Sequence, residues 1–126
     1  MTPFEGEPGP RDDEDYTSGE IRTTGFYGYG CYEVEMKPVK QDGVVTAFFT
    51  SFAGPYDTPD GGNGQHNEID AEFLGKNTTS FQTNYWTNDD NYQNGHEHTV
   101  NLEFDASEDF HLYGFKWTSD EIEWFV

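Results

Sequence analysis

His66-Asn67-Glu68-Ile69-Asp70-Ala71-Glu72-Phe73-Leu74-Gly75, or HNEIDAEFLG, decides how this chain is read. Acidic and apolar residues alternate with a period of two, the period of a strand. His66, Glu68, Asp70 and Glu72 fall on one face, and Asn67, Ile69, Ala71 and Phe73 on the other. The apolar set marks a face turned to a core. The opposite set lines up three carboxylates at two-residue intervals, where their charges repel.

The same period runs outward from this stretch. In CYEVEMK, Tyr32, Val34 and Met36 oppose Glu33, Glu35 and Lys37. In SFQTNYWTN, Gln82, Asn84 and Trp86 oppose Phe81, Thr83 and Tyr85. Strand-like runs are predicted near 18–24, 30–38, 44–52, 68–74, 79–87, 97–104, 110–118 and 121–126, with turn residues between them. No window holds a helical period, and aromatic residues make up 17% of the chain, which favours strands. The fold class expected is all-β, a sandwich or barrel, with 126 residues enough for one modest core. Residues 1–17, rich in proline, glycine and acid, read as an acidic loop or lead-in, and 18–126 as the domain. Residues 53–65 form the one long loop, leading into the acidic strand.

Twenty-five acids against six Lys and Arg give a formal net charge of −19. That field disfavours nucleic acid and anionic membrane surfaces as partners but does not repel a neutral polymer. Cys31 is the only cysteine, so no disulfide forms within the chain; its strand setting suggests a small buried hydrophobe. MTPFEGEPGP has neither the basic start nor the apolar run of a signal peptide.

Three alternating acids on a solvated face need have no function. As a site they suit glycoside hydrolysis, which requires one ionised and one protonated carboxylate about the scissile bond. Residues four apart on a strand are roughly 13 Å apart at Cα, and two glutamate arms leaning inward can close to about 5–5.5 Å. Asp70 between them can push the two glutamate pKa values apart, so repulsion keeps one acid protonated. Glu72 is expected to titrate high because Glu68 and Asp70 crowd it. His66 with the acids offers metal ligands, but side chains in a row along one strand do not surround an ion.

EIDAEFLG resembles the Glu-x-Asp-x-Glu signature of glycoside hydrolase family 16, in its licheninase-like branch. GEIRTTGFYGYGCYEVEMKP, GVVTAFFTSFAGP, FLGKNTTSFQTNYWTN, GHEHTVNLEFDAS and FHLYGFKW are similar to family segments in the family's order. The resemblance implies a concanavalin-like jelly-roll β-sandwich with a glucan-binding cleft. It implies that Glu68 is the nucleophile, that Asp70 assists, and that Glu72 is the general acid/base. Glu20, Arg22, Asn84 and Trp86 match substrate-binding positions, Trp86 standing where that branch usually carries tyrosine. His66, also placed on the substrate, replaces a tryptophan often found before the motif. Phe49 is expected in the core, as are Trp117 and Trp124; His96 and His98 are expected on the surface.

An endo-acting, retaining β-1,3-1,4-glucanase is therefore expected, monomeric and extracellular, with β-glucan as its partner and no cofactor required for catalysis. Relatives of this branch often hold a structural calcium, for which no ligands are identified here. A carbohydrate-binding module without turnover stays open as the alternative, as does a different polysaccharide: laminarin, agar, carrageenan or an acidic exopolysaccharide. Family domains usually carry further strands on both flanks. The chain is accordingly expected to be a partial catalytic domain, weakly active or inactive alone, with Phe48, Phe52, Phe73 and Phe81 partly bare.

Overall fold

A computed structural model describes residues 18–52, 66–87 and 95–126. The predicted lead-in 1–17 and long loop 53–65 lie outside the described residues. Seven strands follow in order: β1 Gly30–Met36, β2 Val45–Phe52, β3 Asn67–Leu74, β4 Ser80–Trp86, β5 His98–Asn101, β6 His111–Trp117 and β7 Ile122–Phe125. They form two antiparallel sheets, β1-β6-β7 and β2-β3-β4-β5. Among the described residues there is no helix.

Alternation is what brings the sheets together. The inward positions of β3 and β4 present Ala71, Phe73 and Phe81; β6 answers with Tyr113, and Ala106 closes the same cluster. Val34 and Met36 from β1 and Trp124 from β7 pack against it. Phe73 stacks on Phe81 at 5.3 Å between ring centroids and meets the Tyr113 edge at 4.9 Å. Phe48 of β2 reaches Phe115 of β6 at 5.5 Å. Phe73 and Phe81 are buried, not partly bare as expected, because the second sheet covers them, whereas Phe48 is half-buried. The Phe52 side chain is outside the described residues.

Two turns fix the register. Asp42-Gly43 precedes β2, where Gly43 adopts φ 81°, a conformation that favours glycine, and its N–H donates to Asp42 Oδ1 at 3.0 Å. Where β5 ends beside the start of β4, the Leu102 N–H donates to the Thr79 carbonyl at 2.8 Å. Asp105 then pins the following loop: Lys40 Nζ lies 2.6 Å from its Oδ2, while Thr78 Oγ1 and the Ser107 N–H donate to its Oδ1 at 2.5 and 3.0 Å. Those donors hold its carboxyl well below the usual carboxylate range, the Lys40 bond contributing most.

Three expectations need correction. Residues 18–24 are not a strand: the segment pairs with no sheet among the described residues, and Ile21 is fully exposed. Period-two polarity alone does not make a strand without a neighbour to accept its hydrogen bonds. Cys31 is exposed, because its side chain shares the outward face of β1 with Glu33 and Glu35. The strand expected over 97–104 ends at Asn101, where Leu102 and Phe104 turn to pack against the core cluster.

Candidate active site

Strand pairing places the acidic face at the centre of the four-stranded sheet. Because directly opposed residues of antiparallel strands share a face, each acid has two identifiable flanks. Glu68 lies between Ser51 of β2 and Trp86 of β4, Asp70 between Phe49 and Asn84, and Glu72 between Ala47 and Gln82. Phe49 therefore sits on the acidic face. The core expectation for it fails by one residue of register, since Phe48, its neighbour, is the one that faces inward.

Asp70 is the least exposed of the three acids at 6%, and Asn84 beside it is at 4%. Both are short side chains in a row of longer ones. Behind them, Trp124 of the other sheet donates its indole N–H to the Asp70 carbonyl at 2.9 Å, which ties the acidic strand to the core. The Asn84 side-chain oxygen accepts the His96 N–H at 2.9 Å and so holds the segment before β5 against β4.

Burial dominates the electrostatics. It pushes the Asp70 carboxyl up to about 8, helped by the charges of Glu68 and Glu72 and by a hydrogen bond to Glu68. At neutral pH Asp70 is then a neutral acid that donates to the Glu68 carboxylate. The Glu72 carboxyl is also raised, first by burial, then by Glu68 and Glu97. The direction agrees with the expectation for Glu72, and so does the part played by Glu68, but burial leads and Glu97 stands where Asp70 was expected. Asp70 is not among its perturbers, and a protonated Asp70 carries no charge to repel it.

Glu97 is the residue that sequence reading missed. Continuing the β4–β5 register past Thr83↔His98 sets position 97 opposite Asn84, on the acidic face. The signal was present in GHEHTV, but the pairing that brings Glu97 beside β4 joins residues far apart in sequence.

The other candidates divide. His66 hydrogen-bonds Glu68 through Nε2 and Oε2, and its ring lies tilted 5.7 Å from Trp86. Glu20 and Arg22 pair with each other on the exposed segment ahead of β1, as a two-residue ion pair worth little on a surface. Arg22 also lines an open cavity of about 1130 Å³ together with Glu68, Phe49 and Trp86, whereas Glu20 does not. That cavity is also lined by Tyr32, Trp117 and Ile122, and includes neither Asp70 nor Glu72. Trp117 is accordingly a cavity wall, in edge contact with Tyr29, while Trp124 packs on the core. His96 and His98 are exposed.

No group of three or more His, Cys, Asp or Glu among the described residues is arranged to hold a metal ion. The acids are strung along one strand, an arrangement that does not surround an ion.

Residues 11–126 match the family Glycosyl hydrolases family 16. The chain belongs to that family. Among curated relatives, it is 50% identical over 111 residues to a beta-glucanase of Paenibacillus polymyxa, covering 88% of this chain and 43% of that protein. It is 48% identical over 112 residues to a beta-glucanase of Bacillus licheniformis, covering 88% and 42%. In structure, this family 16 chain superposes on a Bacillus licheniformis beta-glucanase with TM-score 0.69 at 48% identity, covering 81% of this chain and 44% of that one. A prokaryotic beta-1,3-1,4-glucanase (lichenase) from a mouse hindgut metagenome gives TM-score 0.65 at 48% identity, covering 78% and 42%. The two-sheet architecture is thus the jelly-roll β-sandwich of these lichenases. The chain spans less than half the length of the curated relatives it matches.

Proposed function

We propose that this chain carries the acidic centre of an endo-acting, retaining β-glucanase whose favoured substrate is mixed-linkage β-1,3-1,4-glucan. The observation that carries the reading is the row of three carboxylates on one face of β3, with the middle one, Asp70, buried between Phe49 and Asn84. Asp70 is held protonated against Glu68, and Glu72 is raised by burial and by neighbouring charge. A face that served only to bind neutral sugar would gain nothing from burying acids beside one another.

In the first step the Glu68 carboxylate attacks the anomeric carbon while Glu72 gives its proton to the departing glycosidic oxygen. A glycosyl ester of Glu68 forms, and the aglycone leaves as an alcohol. In the second step the Glu72 carboxylate takes a proton from water, which attacks the same carbon and releases Glu68. Two inversions give net retention. Asp70 keeps one hydrogen bond on Glu68, steadying it as its charge is lost and regained. Trp86, beside Glu68, offers an aromatic platform to the sugar.

Support for the substrate comes from the relatives named beta-glucanase and from the lichenase structures. A polymer of this size does not cross a membrane, so the enzyme is proposed to work outside the cell. The test is reducing-sugar release from barley β-glucan and lichenan, set beside laminarin, agar and carrageenan, for the protein and for Glu68→Gln. Weak release from the mixed-linkage glucans alone, abolished in Glu68→Gln, is expected of a chain spanning less than half of its relatives. Glucan binding without release, and with equal affinity in Glu68→Gln, would instead make the chain a binding module.

A further inference from the structure

We propose that His66 is a positioning residue for Glu68: its imidazole, braced on Trp86, fixes the orientation in which the Glu68 carboxylate meets the sugar. The proposal rests on Glu68 being the nucleophile, as proposed above. His66 and Glu68 stand two residues apart on the same face of the chain entering and forming β3, so their side chains run side by side. The His66 Nε2 and Glu68 Oε2 are hydrogen-bonded, and the two side chains are only 14% and 22% exposed. A carboxylate accepts, so Nε2 carries the proton in this bond.

Trp86 completes the arrangement. It is the cross-strand partner of Glu68 in the β3–β4 register, and the His66 ring lies tilted by 31° at 5.7 Å from it. The imidazole is therefore limited on one side by an aromatic wall and on another by the acid it serves. Asp70 hydrogen-bonds Glu68 from the opposite direction along the strand. Glu68 is thus held from both ends of the row, by His66 before it and Asp70 after it. A glutamate side chain left to itself samples several rotamers, and in-line attack needs one of them. His66 does not touch the reacting atoms in this account. It acts through Glu68.

Two variants separate the ring from the donor. His66→Phe keeps an aromatic ring beside Trp86 and removes the N–H, while His66→Gln keeps an N–H donor without the ring. The readout is the rate at which a 2-deoxy-2-fluoro β-cellobioside with a dinitrophenolate leaving group becomes trapped on Glu68, followed by peptide mass spectrometry. His66→Phe is expected to lower the limiting trapping rate by ~10-fold, about 1.4 kcal/mol, with the half-saturating concentration unchanged. His66→Gln is expected to restore most of that rate. A raised half-saturating concentration with an unchanged limiting rate would make His66 a sugar contact and overturn the proposal. Trapping at equal rates in the protein and in His66→Phe would also overturn it, leaving the nucleophile assignment intact. No trapping at all in the unsubstituted protein would remove that assignment and the proposal with it.

A second measurement needs no turnover. Long-range ¹H–¹⁵N correlation should show His66 in the Nε2–H tautomer, relaxing to a mixture in Glu68→Ala. An identical tautomer distribution in both would show that no such hydrogen bond orders the pair, and would overturn the proposal on its own.

Discussion

Asp70 shows how much of the site is set by surroundings that its own identity does not reveal. An aspartate in an unfolded chain titrates near 3.9, whereas burial, Glu68 and Glu72 bring it to about 8 in the fold. The folded state therefore binds a proton that the unfolded state has released over the window from about pH 4 to pH 8. Folding stability falls as pH rises through that window. Asp70→Asn keeps the shape without the titration, so it should gain on the unsubstituted protein as pH rises from about 4 to 8, by up to about 5 kcal/mol. Denaturant melts at pH 4 and pH 8 check this, and parallel curves would contradict it. Glu72 is raised first by burial and Glu68, and then by Glu97, a residue outside the motif. Glu97→Gln removes one of the charges that raise Glu72, so the alkaline limb of the activity profile should move to lower pH. An unmoved limb would show that Glu97 does not act on the acid. The motif itself was legible because its period of two fixed which side chains share a face. The burial of Asp70 and the approach of Glu97 were not, since both depend on Phe49, Asn84 and the β4–β5 register.

Among the elements, the paired strands were legible wherever a polar face opposed an apolar one, as in CYEVEMK and EIDAEF. Errors came where alternation lacked a partner, in 18–24, or where one residue of register decided the outcome, as with Phe48 and Phe49. Cys31 shows the same limit, since a strand position does not say which face is covered. The core contacts between the sheets give a sharp contrast. Phe73 is fully buried between Phe81 and Tyr113, and Phe73→Ala should cost about 3–5 kcal/mol through lost burial and the cavity left behind. Tyr113 is also buried, yet its hydroxyl has no hydrogen-bond partner among the described residues. Tyr113→Phe removes an unsatisfied polar group from the interior and should be neutral or stabilising by up to ~1 kcal/mol. Chemical denaturation of the two variants checks both signs. A marked loss in Tyr113→Phe would mean the hydroxyl has a partner in solution.

For the whole molecule, two antiparallel sheets clamp a cluster of aromatic and aliphatic side chains and leave one row of carboxylates facing outward from the larger sheet. The smaller sheet contributes to that row from behind, through the Trp124 bond to the Asp70 carbonyl. Core packing and the acidic row are thereby linked, and the row is mounted on paired strands rather than on a loop. The net charge of −19 leaves a neutral glucan as an admissible partner and makes polyanions poor ones. Stereochemistry tests the central claim, that Glu68 and Glu72 act as nucleophile and acid/base on opposite sides of one glycosidic bond. Mixed-linkage β-glucan should be cleaved at a protein concentration high enough to outrun mutarotation, while ¹H NMR follows the anomeric proton of the first-formed reducing ends. Products that appear as the β anomer and only later equilibrate are predicted by double displacement at Glu68. Products that appear first as the α anomer would mean a single inversion by water and would contradict the assignment.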